Sequence, residues 1–334
     1  MSVNIGISGL GRIGRCLIRA VVERDDKSIN LVAINGTGTV DQYATLLKYD
    51  SIHGKFQYNI QVENNTIVIE DRRIEFLSHR DPESIPWKKN NVEIVLECTG
   101  QFKTKEEASK HIKAGAKKVI ISAPSSNPDA TIIYGVNNEV LKPEHDIISV
   151  GSCTTNALAP IVKLLNDAFK IESGYMTTIH AYTNDQTILD NKHSDIRRAR
   201  ACGLSMIPTS TGAAKTIGIV LPELKGKLHG SAIRVPTPNV SMIDLSATTI
   251  KQTSEKEIND LILKASKKEM KGVVEVAEEK LVSIDFNHNT HSAIFDPYET
   301  HVNKNFLRVV SWYDNEWGFS NRMLDVASLI AKIR

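Results

Sequence analysis

The 334-residue chain lacks most of the marks of a specialised protein class. No stretch approaches the ~18 consecutive apolar residues that a membrane-spanning helix needs. Met1 runs into the polar Ser2-Val3-Asn4-Ile5 with no signal-peptide pattern, so a cytoplasmic location is expected. The four cysteines, Cys16, Cys98, Cys153 and Cys202, are far apart and form no Cys-x-x-Cys pair. This excludes a disulfide framework or a zinc site read from spacing, and each is weighed as a free thiol. Neither sign of charge is in surplus: 41 Lys and Arg stand against 39 Asp and Glu. A balanced chain carries no global electrostatic footprint for nucleic acid or an anionic membrane. With 19 Gly and 11 Pro, and no internal repeat, low-complexity tract or linker, it is neither fibrous nor disordered. What remains is an ordinary globular composition, 41% hydrophobic and 24% charged, long enough for two domains.

The periodicity of the first thirty-five residues changes twice. Val3 to Ser8 is a short apolar run, Ile13, Leu17, Ile18, Val21 and Val22 recur at helical spacing, and Leu31 to Ile34 is apolar again. That is strand, helix, strand. Further buried strands are expected at 93–97, 119–122 and 147–150, the first two separated by a helix over 105–113 that ends at Gly115. Alternating strands and helices imply a parallel sheet. Between Ile34 and Val92 the alternating segments 66–69 and 73–77 suit antiparallel excursions better than another helical crossover. From Gly174 on, 176–180, 231–235, 242–250 and 307–313 are strand-like, Ser254-x-x-Glu257 is a capping box opening a helix, and 321–334 is an amphipathic helix. The pattern predicts an α/β chain: a domain built on a parallel sheet, followed by a second, α+β domain with a mixed or antiparallel sheet.

Gly9-Leu10-Gly11-Arg12-Ile13-Gly14 fits G-x-G-x-x-G directly between a strand and a helix. The first glycine permits a tight turn, the second lets a pyrophosphate approach the backbone, and the third lets helix pack on strand, while the helix N-terminus offers unpaired N–H groups. An acid is expected about 20 residues further on, at the end of the second strand, to bind the ribose hydroxyls of NAD. That place reads Asn35-Gly36. Without the carboxylate nothing repels a 2′-phosphate, so NADP is favoured, with Asn35 alone sufficing for NAD as the other reading.

Cys153 lies where the apolar 147–150 and the turn-like Gly151-Ser152 give way to helical spacing at Ala157, Leu158, Ile161, Leu164 and Leu165. A thiol facing the positive end of a helix is expected to have a depressed pKa and a raised thiolate fraction. Cys16, within the first helix, and Cys98, in an apolar strand, read as small buried residues; Cys202 stays open. The thiol needs a base, and His180, at the end of a strand, is the best placed of ten histidines. Spacing alone cannot pair the two. His288-x-x-His291 lacks thiols and a helical frame, and no metal site is expected.

Those motifs, with Gly151-Ser152-Cys153-Thr154-Thr155-Asn156, His180-Ala181-Tyr182-Thr183, Thr209-Ser210-Thr211-Gly212-Ala213-Ala214-Lys215 and Trp312-Tyr313-Asp314-Asn315-Glu316-Trp317-Gly318, span nearly the whole chain. On them the chain resembles the phosphorylating glyceraldehyde-3-phosphate dehydrogenases. The resemblance implies a Rossmann domain over 1–151 with the C-terminal helix 317–334 packing back on it, a catalytic domain over 152–316, and a homotetramer. It implies Cys153 as nucleophile and His180 as base. Thr183 and Arg234 would hold the substrate phosphate, and Ser152, Thr154, Arg198, Thr211 and Gly212 the attacking phosphate, in keeping with the fit of guanidinium and hydroxyl donors to oxyanions. Asn315 would orient the nicotinamide carboxamide, and Arg12, Ile13, Arg80, Thr99 and Ser122 would line the cofactor. Two departures bear on the cofactor. The usual Asp after Asn35 is Gly36, and the Leu-Pro pair of NAD-specific members is Asn191-Lys192; both favour a 2′-phosphate, with Lys192 as its cation.

The implied reaction is oxidation of glyceraldehyde 3-phosphate with inorganic phosphate to 1,3-bisphosphoglycerate, in glycolysis or gluconeogenesis, with reduction of NAD(P). The alternatives are an erythrose-4-phosphate dehydrogenase of the same superfamily and a moonlighting RNA- or protein-binding role, neither membrane nor nucleic-acid binding being the primary function expected.

Overall fold

The structure is a computed structural model and describes residues 2–333. The chain forms two compact units, Met1–Ser152 with Ser320–Arg334, and Cys153–Phe319.

In the first unit nine strands make one sheet, in the order Ala130–Thr131, Ile147–Ser149, Lys118–Ile121, Ile94–Glu97, Val3–Ser8, Ile29–Asn35, Arg72–Leu77, Thr66–Ile69, Ile60–Glu63. The strand Val3–Ser8 has parallel neighbours on both sides, with Ser8 opposite Asn35 on one and Glu97 on the other. Strand order reverses there, and the carboxyl ends of an open parallel sheet bind ligands at such a switch point. Ile5, Ile7, Ile34, Val95 and Ile120 are wholly buried, as strands covered on both faces require.

One expectation fails in this unit. Val40–Lys48 is a helix, opened by a reciprocal capping box between Thr39 and Gln42, in the stretch where antiparallel excursions were expected in preference to another helical crossover. It buries only Val40 and Leu47, so its hydrophobic period is faint and the cap is its clearest signal. The strands Thr66–Ile69 and Arg72–Leu77 are antiparallel to each other as the alternation implies, while Arg72–Leu77 runs parallel to Ile29–Asn35. In the C-terminal helix Trp317–Lys332, Arg24 holds the Asn321 carbonyl at 2.9 Å and Asp325 at 2.6 Å, both within this unit.

The second unit holds a mixed seven-stranded sheet, in the order Ile207–Ser210, Leu228–Val235, Ile171–Ala181, Ser241–Thr249, Phe306–Tyr313, Ala293–Asn303, Val274–Val276. Most neighbours are antiparallel, but Ile171–Ala181 runs parallel to Leu228–Val235. Strict alternation of burial along Ser241–Thr249 marks one packed face, and the helix Cys153–Phe169 buries most of its length. Glu255–Ser266 begins at the expected Ser254 and Glu257 capping box. Among the described residues no helix is long and apolar enough to cross a membrane.

Candidate active site

In the first unit the three glycines of the fingerprint have three different environments. Gly9 has φ +93°, and a Cβ there would lie 2.6 Å from the Thr99 nitrogen. A Cβ on Gly14 would come within 2.0 Å of the Gly9 carbonyl oxygen. Nothing lies within 4 Å of a Cβ on Gly11, the residue that begins the helix Arg12–Arg24 without a side-chain cap or any acid in its first turn. The turn is thus closed by backbone contacts and open at the helix N-terminus, where N–H groups and the dipole suit an anion. A cavity of about 460 Å³ opens beside it, bounded among others by Gly9, Gly11, Asn35, Gly36, Arg80 and Thr99. These residues fit a dinucleotide.

Arg12, Ile13, Gly14 and Ser122 do not line this cavity. The Arg12 guanidinium turns to Asp50, reaching its Oδ1 at 2.9 Å. Burial opposes ionisation of Asp50, but Arg12 and the N–H groups of His53 and Ile52 hold its carboxyl well below the usual range. The Asn35 carboxamide donates to the His79 carbonyl (3.0 Å) and accepts from the His79 N–H (2.9 Å), shaping the cavity wall.

Thr99 is held by a chain that the sequence pattern did not single out. Its N–H donates to Glu97 Oε1 at 2.7 Å, and its hydroxyl bonds the same oxygen. His111 Nε2 lies 2.9 Å from Glu97 Oε2, and Trp87 Nε1–H donates to His111 Nδ1 at 3.0 Å. The indole donor fixes the imidazole tautomer with its proton on Nε2, towards the carboxylate. All three supporting side chains are buried. The helix Lys105–Lys113, started by a Thr104 and Glu107 capping box, carries His111 to this place.

In the second unit Cys153 is the first residue of the helix Cys153–Phe169, and His180 lies one residue from the end of the strand Ile171–Ala181. Cys153 Sγ is 3.6 Å from His180 Nε2. Parallel pairing sets Arg234 directly opposite His180, which is how residues 54 apart in the chain become neighbours. His180 Nδ1 is 2.6 Å from the Ala181 carbonyl oxygen. Two lone pairs would repel at that distance, so Nδ1 carries the proton, and Nε2 presents its lone pair to the thiol. Arg234 Nη1 donates to the same carbonyl at 3.0 Å, so its 2.9 Å approach to Nδ1 is a close contact between two donors.

The expected thiolate is not the resting form. Burial pushes the Cys153 thiol up, outweighing the charge of Arg234 and the hydrogen bonds of Thr154. Burial, reinforced by the charge of Arg234, lowers the pKa of His180 to about 3 despite its bond to Ala181. The helix end alone does not decide ionisation here: desolvation dominates, and the pair rests as neutral thiol and neutral imidazole.

Arg234 Nη1 also lies 3.5 Å from Thr183 Oγ1, so the structure brings these two expected anion ligands together. Arg234 Nε is buried without a hydrogen-bond partner, a strong donor left for an incoming acceptor. Arg198 donates through Nε to Thr209 Oγ1 (3.0 Å) and through Nη2 to the Ser210 carbonyl (3.3 Å), and it pairs with Asp185. This sets it beside the turn holding Thr211 and Gly212, which precedes the helix Ala213–Val220. The Thr154 hydroxyl faces inward, 2.9 Å from Tyr313 Oη, which is 2.8 Å from Thr178 Oγ1. The Thr154 side chain is thus engaged inward, with Tyr313.

Asn315 is anchored by Ser241, whose hydroxyl donates to Asn315 Oδ1 (2.7 Å) and accepts from the Ala181 N–H (3.1 Å). Asp314 secures the same turn, accepting from His288 N–H at 2.7 Å and Trp317 N–H at 2.7 Å. Tyr313, Ser241 and Asp314 were not singled out as site residues, although Tyr313 and Asp314 stand in the Trp312–Gly318 motif; for Ser241 a buried polar residue at the start of a strand is the signal.

Two family models match the chain: residues 3–105 the glyceraldehyde 3-phosphate dehydrogenase NAD binding domain, and residues 152–315 the C-terminal domain of the same enzymes. A glyceraldehyde-3-phosphate dehydrogenase of Xanthobacter flavus is 51% identical over 334 residues, covering 100% of both chains. Those of Priestia megaterium and Geobacillus stearothermophilus are each 50% identical over 333 residues and 99% of both chains.

The chain belongs to the glyceraldehyde-3-phosphate dehydrogenase family. Cys153 stands at the catalytic position of that family. The glyceraldehyde-3-phosphate dehydrogenase fold, a nucleotide-binding domain followed by a C-terminal domain, accounts for the two large sheets. Lys192 is exposed, and its ammonium makes no ion pair among the described residues. His288 stacks on Trp317 with ring centroids 3.7 Å apart, and His291 Nδ1 lies 2.9 Å from Asn289 Oδ1 and 3.5 Å from Glu275 Oε2.

Proposed function

We propose that the protein oxidises glyceraldehyde 3-phosphate with uptake of inorganic phosphate, yielding 1,3-bisphosphoglycerate, and that it acts in the cytoplasm. The observation that carries this reading is Cys153 Sγ at 3.6 Å from His180 Nε2, beside the buried, unpartnered Nε of Arg234. Cys153 Sγ forms a bond to the aldehyde carbon, its proton passes to His180 Nε2, and the carbonyl oxygen becomes the hydroxyl of a hemithioacetal. His180, returned to its neutral form as that hydroxyl is protonated, then takes the hydroxyl proton as hydride leaves the same carbon. A bound nicotinamide cofactor supplies the hydride acceptor in this scheme. The thioester left on Cys153 is opened by a phosphate oxygen, and the departing sulfur recovers its proton from His180. The Cys153 backbone N–H, at a helix start, and the protonated imidazole are suited to stabilise the oxyanion.

Thr183 and Arg234 would hold the substrate phosphate. Ser152, Thr154, Arg198, Thr211 and Gly212 would hold the attacking one, with Asp185 displaced from Arg198 as the anion arrives. The cofactor would lie on the open turn at Gly9 and Gly11, flanked by Asn35, Gly36, Arg80 and Thr99; of the expected cofactor residues Arg12 is instead engaged with Asp50, and Ile13, Gly14 and Ser122 do not line this cavity. NADP is favoured because Gly36 brings no carboxylate and Lys192 offers a free ammonium. A homotetramer is supported by the apolar side chains exposed along one segment: Ile188, Leu189, Ile196, Leu204 and Met206 are each at least 73% exposed.

Initial rates with NAD and NADP, with and without phosphate, on glyceraldehyde 3-phosphate and erythrose 4-phosphate test the whole reading. Phosphate-dependent turnover of the three-carbon aldehyde is expected. Phosphate-independent oxidation of the four-carbon aldehyde would replace the reading, and an NAD preference above about tenfold in kcat/KM would remove the cofactor part.

A further inference from the structure

Gly36 is buried although its side chain is a hydrogen atom. A Cβ built there would lie 2.6 Å from Tyr43 Cε2, 2.9 Å from Tyr43 Cζ and 2.9 Å from Leu10 Cδ1. The backbone does not demand glycine, since Gly36 is not among the positive-φ residues. Space is the constraint. The Gly36 N–H is bonded to the Leu77 carbonyl at 3.0 Å, so the main chain is tied to the neighbouring strand. Tyr43 is placed by the helix Val40–Lys48, whose start is fixed by the Thr39 and Gln42 capping box. Its ring packs tilted on Phe76, with centroids 5.8 Å apart. The half-buried ring therefore packs beside the position from which an acid at the end of the second strand of a dinucleotide-binding sheet reaches the ribose, and a side chain at 36 would have to displace the far end of that ring from Phe76. Gly36, Tyr43 and Arg80 line the same cavity, and Arg80 makes no ion pair among the described residues.

We propose that Tyr43 is a specificity-determining residue for the nicotinamide cofactor. Its ring fills the volume that a side chain at position 36 needs, so that Gly36 and Tyr43 act as one unit that keeps carboxylate away from the adenosine 2′ position. This rests on the cofactor reading above, and it adds a consequence that the missing acid alone does not carry: an acid restored at position 36 is ineffective while Tyr43 remains.

The test is a double-mutant cycle read as dissociation constants for NAD and NADP by titration calorimetry, with melting temperatures for every variant. In Gly36→Asp, both cofactors are expected to bind about tenfold more weakly, with their ratio changed by less than about threefold. Tyr43→Leu alone is expected to leave the ratio within about threefold. The pair Gly36→Asp with Tyr43→Leu is expected to shift the ratio towards NAD by about thirtyfold or more. Gly36→Ala, which adds the Cβ without charge, should weaken both cofactors or lower the melting temperature, and Tyr43→Leu should restore it. If Gly36→Asp alone shifts the ratio as far as the double variant, or Gly36→Ala matches the parent protein in binding and melting, the proposal falls. It falls equally if the single variants at 36 fail to fold and the doubles do not recover. The parent protein's own ratio tests the cofactor reading separately: an NAD preference there overturns that reading, while the coupling between positions 36 and 43 remains measurable.

Discussion

The nucleotide cradle of the first unit and the thiol cluster of the second are built by different means. The cradle is a backbone object: Gly9 and Gly14 are required because a Cβ would strike main-chain atoms, and Gly11 leaves a helix start uncovered. The thiol cluster is a side-chain object, assembled by strand pairing that sets His180 opposite Arg234 and by a helix that starts at Cys153. A backbone site is defined within six consecutive residues and is damaged by adding atoms. A side-chain site draws on residues far apart in the chain and is damaged by removing them.

The largest effect expected from this difference is in the thiol cluster. Cys153→Ser should lower turnover by at least ~10⁴-fold in steady-state aldehyde oxidation while leaving the cofactor dissociation constant unchanged, because the variant removes a nucleophile and leaves every residue of the cradle in place. Turnover within about tenfold of the parent would break the assignment. Arg234→Ala should raise KM for the aldehyde substrate by about 10²-fold, the loss of a charge-assisted contact, and Arg198→Ala should act mainly on KM for phosphate. If both variants raise the same KM, the two anion sites are not separate.

In the cradle the comparison is between neighbours. Gly9→Ala places a methyl group 2.6 Å from the Thr99 nitrogen at φ +93° and should cost about 2 kcal/mol of stability, read from denaturant unfolding. Gly11→Ala meets nothing within 4 Å and should leave stability within about 0.5 kcal/mol, yet weaken cofactor binding about tenfold by crowding the open helix end. Equal behaviour of the two variants would dissolve the distinction between a glycine needed for folding and one needed for the ligand.

That contrast also explains what could be read from the chain alone. The fingerprint is local, so Gly9, Gly11 and Gly14 were legible from spacing, and so was the helix start at Cys153. His180 was found as a strand-end histidine, but its partnership with Cys153 depends on where the strand Ile171–Ala181 sits against a helix that begins 18 residues earlier. Glu97, His111 and Trp87 were illegible as a unit, because the chain that holds Thr99 joins a strand, a helix and a loop. The helix Val40–Lys48 escaped notice because it buries only two residues, so its period carried little signal although its cap was present. The ionisation of Cys153 was misjudged for another reason. Position at a helix start is visible in sequence, but desolvation depends on everything packed around the sulfur.

The smallest expected effect follows from that desolvation and has a definite sign. The imidazole of His180 titrates at about 3 in the folded protein against an ordinary 6.5. Between these values the unfolded chain binds a proton that the folded one refuses, so acidification favours unfolding. The stabilising contribution of a neutral His180 is complete above pH 6.5 and is lost progressively as pH falls towards 3. His180→Asn removes the titration. Between pH 7 and pH 5.5 the variant's melting temperature should fall by about 2–4 °C less than the parent's. Parallel melting curves across that range would mean that the imagined dry pocket is wet, and that the neutral resting pair assigned to Cys153 and His180 is wrong with it.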